Sequence, residues 1–142
     1  MRICLYDGPN RSDLLPLVYS RPVADLLLGS MTLAKRWSIA LSAEVVVETE
    51  AYLQAQTPSF DLAIMAGCLP NPELLSAIKG LKNGQKLMRN GDMIAFSGVG
   101  SCTDKALATF EAIDIDRYKH CSLSVGFVLQ KCGGPDWGCA FF

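Results

Sequence analysis

Three short apolar runs, separated by segments with helical patterns, constrain the fold of this chain most. The runs occupy residues 2–6, 43–49 and 61–66, and the second is rich in β-branched residues. A run that is apolar along almost its whole length, such as 61–66, is typical of a strand in a parallel sheet that is covered on both faces. The sequence therefore predicts an α/β domain built around such a sheet.

Two helices are marked between these strands. Apolar residues recur at four-residue spacing over 31–41, directly after Ser30, a residue type that favours the N-cap position of a helix. A second helix is predicted to start at Asn71, where Pro72 suits the first helical position and Glu73 places a negative charge in the first turn. The spacing also indicates a helix over 103–112.

The dipeptide Asn90-Gly91 predicts a β-hairpin. It lies between two alternating runs, 85–89 and 92–96, and Asn-Gly in that setting is the strongest short-range hairpin signal. Together the elements predict an α/β three-layer sandwich with a mainly parallel, Rossmann-like sheet and one β-hairpin. The order of the strands in the sheet does not follow from the sequence.

Composition narrows the class of protein. Of the 142 residues 50% are hydrophobic and 19% are charged, and the formal net charge is −1, which argues against disorder and against a nucleic-acid binder. No apolar run approaches the roughly 20 residues of a membrane span, and Asp7 comes too early for a signal peptide. We expect a cytoplasmic protein without nucleic-acid or membrane partners. Its six cysteines, which form no Cys-x-x-Cys pair, are expected to be free thiols.

The chain divides by composition near residue 120. Residues 1–120 carry the predicted α/β domain, whereas 121–142 form an apolar tail whose only charged residues are Lys131 and Asp136. The tail either packs on the core, with a strand over 123–129, or was followed by more protein in a longer chain.

Polar and charged residues follow the first strand in the segment from Asp7 to Arg21. Loops after strands of open α/β sheets lie at the carboxyl edge, where ligands bind. The guanidinium groups of Arg11 and Arg21 suit phosphate oxygens, so the segment indicates a phosphorylated ligand. Three alternatives stay open: Arg11 as a solvated charge, Arg21 as a residue that fixes the loop through carbonyl groups, and Asp25 as a helix cap.

Several elements of the sequence resemble the sugar-1-phosphate nucleotidylyltransferase family over residues 1–100. They are Arg11, Leu15-Pro16-Leu17, Arg21-Pro22, Gly29 and the segments 67–74 and 84–95. The combination is similar to a bacterial subfamily related to N-acetylglucosamine-1-phosphate uridylyltransferase, in which this domain precedes a left-handed β-helix. The resemblance thus describes an N-terminal domain.

The resemblance implies transfer of a nucleotidyl group to a sugar 1-phosphate, with Mg²⁺ and release of pyrophosphate. It implies catalytic roles for Arg11 and Arg21. The residues implied to bind nucleotide or sugar phosphate are Asp7, Gly8, Asp25 and Gly67. No residue is assigned to a metal.

Two departures from the family pattern leave enzymatic activity open. Val23 stands where the family has a lysine, and Cys68 stands where it has a magnesium-binding aspartate. The alternative function is a non-catalytic nucleotide-sensing or assembly domain for a β-helix acyltransferase partner. An unrelated α/β domain with another small ligand is a third alternative, and self-association is a further partner interaction that the sequence leaves open.

Overall fold

The computed structural model describes residues 1–54, 59–89, 91–98 and 111–114. The strands are β1 (Arg2–Tyr6), β2 (Leu27–Leu28), β3 (Met31–Thr32), β4 (Glu44–Glu48), β5 (Leu62–Met65), β6 (Gln85–Arg89), β7 (Asp92–Ser97) and β8 (Glu111–Asp114). The helices are α1 (Leu33–Leu41) and α2 (Pro72–Lys79). Two short 3-10 helices, Pro9–Leu14 and Val23–Asp25, lie in the segment between β1 and β2.

Six of the strands form one mixed sheet in the order β4-β1-β5-β7-β6-β8, while β2 and β3 form a separate antiparallel pair. β1 pairs in parallel with β4 and β5, β7 is antiparallel to both β5 and β6, and β8 is parallel to β6. The carboxyl ends of β1, β4, β5, β6 and β8 therefore lie at one edge of the sheet. We call it the carboxyl edge. The prediction of an α/β fold with a mainly parallel sheet and one Asn-Gly hairpin is confirmed.

Each of the two helices begins after a capping side chain, α2 at the predicted residue and α1 two residues later than predicted. Asn71 Oδ1 accepts a 2.7 Å hydrogen bond from the backbone N–H of Leu74, so α2 starts where the sequence predicted. α1 starts at Leu33 instead of residue 31, because residues 31 and 32 pair with β2. Thr32 provides the cap there in place of Ser30, and its Oγ1 accepts from the N–H of Lys35 at 3.2 Å.

The predicted helix over 103–112 is wrong at its last two residues. Residues 111 and 112 belong to β8, which pairs with β6 at the end of the sheet. Backbone pairing with an existing strand overrides a local helical pattern. Residues 103–110, the apolar tail 121–142 and its predicted strand 123–129 lie outside the described residues.

The core joins the sheet to α1 and to the turn that follows β5. Trp37 on α1 is fully buried, and its Nε1–H donates to the carbonyl of Cys68 at 3.0 Å. Phe60 and Phe96 pack edge to face, with ring centroids 5.8 Å apart. The hydrogen bond from Trp37 holds the residue 67–68 turn at the carboxyl edge, whereas the Phe60–Phe96 pair lies toward the opposite edge. No helix in the described part of the chain has the length and apolar character needed to cross a bilayer.

Candidate functional site

Asp7, the first residue after β1, is the centre of a buried polar network at the carboxyl edge. Its Oδ1 accepts from the backbone N–H of Val23 at 2.9 Å, and its Oδ2 accepts from Arg11 Nη1 at 2.6 Å. The hydroxyl of Thr49, which follows β4, also donates to Oδ2. The carboxylate therefore connects the end of β1 with the end of β4 and with the segment between β1 and β2 that contains Val23.

Arg11 turns inward from the 3-10 helix Pro9–Leu14 and is only 9% exposed. Besides the ion pair with Asp7, its Nη2 donates to the carbonyl of Val18 at 2.5 Å and to the hydroxyl of Tyr52 at 3.0 Å. Burial acts to lower the pKa of Arg11, but the hydrogen bond with Tyr52 and the charge of Asp7 outweigh it, and the pKa is raised. Arg11 is thus a fully charged residue whose charge is neutralised inside the protein.

Gly8 allows the chain to leave β1 in the direction that this network needs. Its φ of 72° and ψ of 176° lie in a region of backbone conformation that residues other than glycine avoid. A Cβ at this position would lie 2.8 Å from Cγ and 2.9 Å from Sδ of Met65. The glycine is therefore required both by its backbone conformation and by the close approach of Met65.

Arg21 has the opposite environment to Arg11. It is exposed and lines a cavity of 360 Å³, and its side chain has no hydrogen bond or ion pair within the described residues. The cavity is lined by Pro16, Leu17, Ser20, Arg21, Leu26, Leu27, Leu28 and Leu33. The structure thus separates the two arginines that the sequence grouped as catalytic. Within the described residues they are connected through the backbone of Arg21, since Arg11 Nη1 lies 3.5 Å from its carbonyl oxygen.

The two remaining predicted binding residues lie apart from this cavity. Asp25 is exposed at the end of the 3-10 helix Val23–Asp25 and does not line the cavity. Gly67 is half-buried at the carboxyl edge, two residues after the end of β5. Within the described residues no atom beyond its chain neighbours lies within 4 Å of the position that a Cβ would take. There is therefore open space beside Gly67 at the carboxyl edge, whereas Met65 fills the space beside Gly8.

The donor groups at this edge do not fit a magnesium ion. Cys68 is fully buried, and burial raises the pKa of its thiol to about 12, with Arg89 lowering it and Asp92 raising it. Mg²⁺ prefers oxygen ligands, whereas Cys68 offers a protonated sulfur and both oxygens of Asp7 are already bonded within the protein. Among the described residues no three His, Cys, Asp or Glu side chains are grouped as metal ligands would be.

The comparison with protein families decides the relationship. The family model described as sugar nucleotidyl transferase matches residues 3–120. The chain belongs to the sugar nucleotidyl transferase family. No curated protein and no solved structure matches the chain. The family relationship is thus confirmed, while the subfamily and its relation to N-acetylglucosamine-1-phosphate uridylyltransferase stay predictions.

Sequence reasoning missed two residues of the site in this sugar nucleotidyl transferase domain. Thr49 and Tyr52 both follow β4 and contact the Asp7–Arg11 pair. Because β4 is the parallel neighbour of β1, the residues after both strands meet at the same edge. The hydroxyl of Thr49, directly after β4, was the available signal. Its partner, Asp7, can be identified only when the strand order is known.

Proposed function

We propose that this domain binds a nucleotide or sugar phosphate in the cavity beside Arg21, and that it does not by itself catalyse nucleotidyl transfer. The observation that carries the proposal is the contrast between the two arginines. Arg11 is neutralised by Asp7, whereas Arg21 is exposed, lines a 360 Å³ cavity and has no side-chain partner in the described part of the chain.

The chemistry of the cavity supports this assignment. Its volume lies within the range of small-molecule sites, and such sites combine apolar walls with a few polar groups that orient the ligand. Here Leu17, Leu27 and other apolar residues form the walls, and Ser20 and Arg21 supply the polar groups. A guanidinium suits the bidentate hydrogen bonding of a phosphate group.

The Asp7 network supports the cavity from within the protein. Arg11 donates to the carbonyl of Val18, which precedes Ser20 and Arg21 by only a few residues, and Asp7 accepts from the N–H of Val23, which follows them. The loop that carries Arg21 is therefore held on both sides before a ligand binds. A preorganised loop loses less conformational entropy on binding, so more of the contact energy appears as affinity.

The absence of catalysis is argued from two positions. Nucleotidyl transfer needs positive charge on the phosphates and a metal held by oxygen ligands. Val23, where the family has a lysine, is fully buried, and its backbone N–H is bonded to Asp7. Cys68, where the family has an aspartate, is buried with a protonated thiol. Binding without transfer accords with the nucleotide-sensing alternative, and the β-helix acyltransferase partner stays a proposal.

Binding is tested by isothermal titration calorimetry with UTP, glucose 1-phosphate and inorganic phosphate, each with and without Mg²⁺. A hydrogen bond to a charged group contributes about 1.5–3 kcal/mol, so Arg21→Ala should weaken binding of the phosphorylated ligand by about 10- to 100-fold. Arg2→Ala is the matched control, because Arg2 is an exposed arginine at the opposite edge of the sheet. Equal affinities of Arg21→Ala and wild type, or no binding of any of these ligands, would overturn the proposed site.

Catalysis is tested separately by following pyrophosphate. The wild-type protein is incubated with UTP or dTTP, a sugar 1-phosphate and Mg²⁺, and we expect no release above that of a reaction without the sugar phosphate. Release that depends on the sugar phosphate and is lost in Arg21→Ala would refute the non-catalytic part of the proposal and leave the binding part standing.

A further inference from the structure

The end of β6 and the start of β7 lie at the carboxyl edge, a position that the sequence did not indicate. β7 runs antiparallel to β5, with Ile64 opposite Ala95, so the start of β7 lies beside the end of β5. The hydroxyl of Tyr6, at the end of β1, donates to the carbonyl of Met93 at 2.6 Å and holds the hairpin there. Arg89 and Asp92, which flank the tip, are therefore residues of the same edge as Asp7 and Gly67.

Arg89 has an unsatisfied donor at this edge. Its Nη1 is buried and has no hydrogen-bond partner, and Arg89 forms no ion pair within the described residues. Asp92 is its register partner across the hairpin but is exposed and lies beyond ion-pair distance. A buried donor that lacks an acceptor is unfavourable, and more so when the group is charged. Such a group needs an acceptor from outside the chain, which a bound anion or a water molecule supplies.

Within the described residues no ion pair compensates the charge of Arg89. Its field reaches the thiol of Cys68, since Arg89 acts to lower the pKa of that thiol. Burial nevertheless keeps the thiol protonated, so Cys68 carries no negative charge that could neutralise Arg89. Gly67 precedes Cys68 and has free space where other residues carry a side chain. The edge therefore combines a cationic donor with room for an incoming group.

We propose that Arg89 is a second oxyanion-binding residue of this protein, and that it binds a phosphate group beside Gly67 at the carboxyl edge. This inference rests on the proposed function for the kind of ligand that reaches the edge. It deepens that function, because a domain with phosphate contacts at both Arg21 and Arg89 suits a ligand, or a pair of ligands, with two separate anionic groups.

The test follows the Nε–Hε signal of Arg89 by ¹⁵N NMR while wild-type protein is titrated with inorganic phosphate and, separately, with glucose 1-phosphate. The signal and the amide of Gly67 should shift together and saturate. The Kd for phosphate should rise by about 10-fold or more in Arg89→Gln and by less in Arg89→Lys, since lysine keeps the charge but not the planar fork. Arg2→Gln, at the opposite edge, is the matched control and should leave the Kd unchanged.

The outcomes separate this inference from the proposed function. An Arg89 signal that does not move at saturating phosphate, or an unchanged Kd in Arg89→Gln, overturns the inference whether or not Arg21 binds a ligand. A shift of the Arg89 signal together with full ligand affinity in Arg21→Ala supports the inference and rejects the site at Arg21. The wild-type titration decides even where Arg89→Gln does not fold, because it needs no variant.

Discussion

Replacement of Arg11 by methionine tests whether the Asp7 network holds the loop that carries Arg21. Methionine is apolar and unbranched and replaces the inner part of the arginine side chain, so the substitution removes the charge, the donors and the volume of the guanidinium group. In Arg11→Met the carboxylate of Asp7 keeps the N–H of Val23 and the hydroxyl of Thr49 as partners and loses its only counter-charge among the described side chains that bond to it.

The expected loss of stability follows from burial. The side chains of Arg11 and Asp7 are 11% and 8% exposed, and removal of one partner of a buried ion pair costs about 3–5 kcal/mol. The carbonyl of Val18 also loses its donor. Because native domains are stable by only about 5–15 kcal/mol, we expect Arg11→Met to lower the urea midpoint by on the order of 2 M.

The assay is urea denaturation followed by fluorescence and circular dichroism, with the same substitution at an exposed ion pair as control. Arg2 contacts Glu44 at 3.1 Å, with side chains 48% and 64% exposed, and Arg2→Met should cost no more than about 1 kcal/mol. The double variant Asp7→Asn, Arg11→Met should lose less stability than the sum of the single variants, with a coupling energy of at least about 1 kcal/mol.

An equal, small effect of Arg11→Met and Arg2→Met would refute this reasoning. Additive effects of Asp7→Asn and Arg11→Met would refute it as well, because the pair would then not act as a unit. Either result would also remove the structural basis for a preorganised loop at the proposed site.

Two further expectations concern neighbouring positions. Gly8→Ala should destabilise the domain by at least about 2 kcal/mol in urea denaturation, through its φ of 72° and the contact with Met65, whereas Gly67→Ala should be close to neutral; equal losses would contradict the close approach at Gly8. The raised pKa of Cys68 should make stability fall between pH 9.0, where the unfolded thiol ionises, and about 12, where the folded one does. Cys68 contributes up to about 1.4 kcal/mol per pH unit to this slope, so the slope should be shallower by that amount in Cys68→Ala, and equal slopes in the two proteins would exclude the shift.

Much of the fold follows from local signals. The apolar runs, the Asn71 cap and the Asn90-Gly91 dipeptide place β1, β4, β5, the start of α2 and the hairpin, because each is set by periodicity or by the chemistry of a few adjacent residues. Prediction was wrong where pairing between distant segments decided the conformation. Residues 31 and 32 joined β2 instead of α1, and residues 111 and 112 joined β6 as a strand instead of continuing a helix.

The candidate site divides in the same way. The sequence by itself determined that Asp7, Arg11 and Arg21 follow the first strand, and it placed Val23 and Cys68 where the resemblance to nucleotidylyltransferases implies lysine and aspartate. Only the tertiary structure decided that Arg11 forms an ion pair with Asp7 while Arg21 lines a cavity. It also placed Arg89 at the same carboxyl edge as Asp7. The physical reason is that the charge of a side chain is a property of its residue type. Whether that charge is neutralised or free depends on acceptors that the order of strands brings to it from far along the chain.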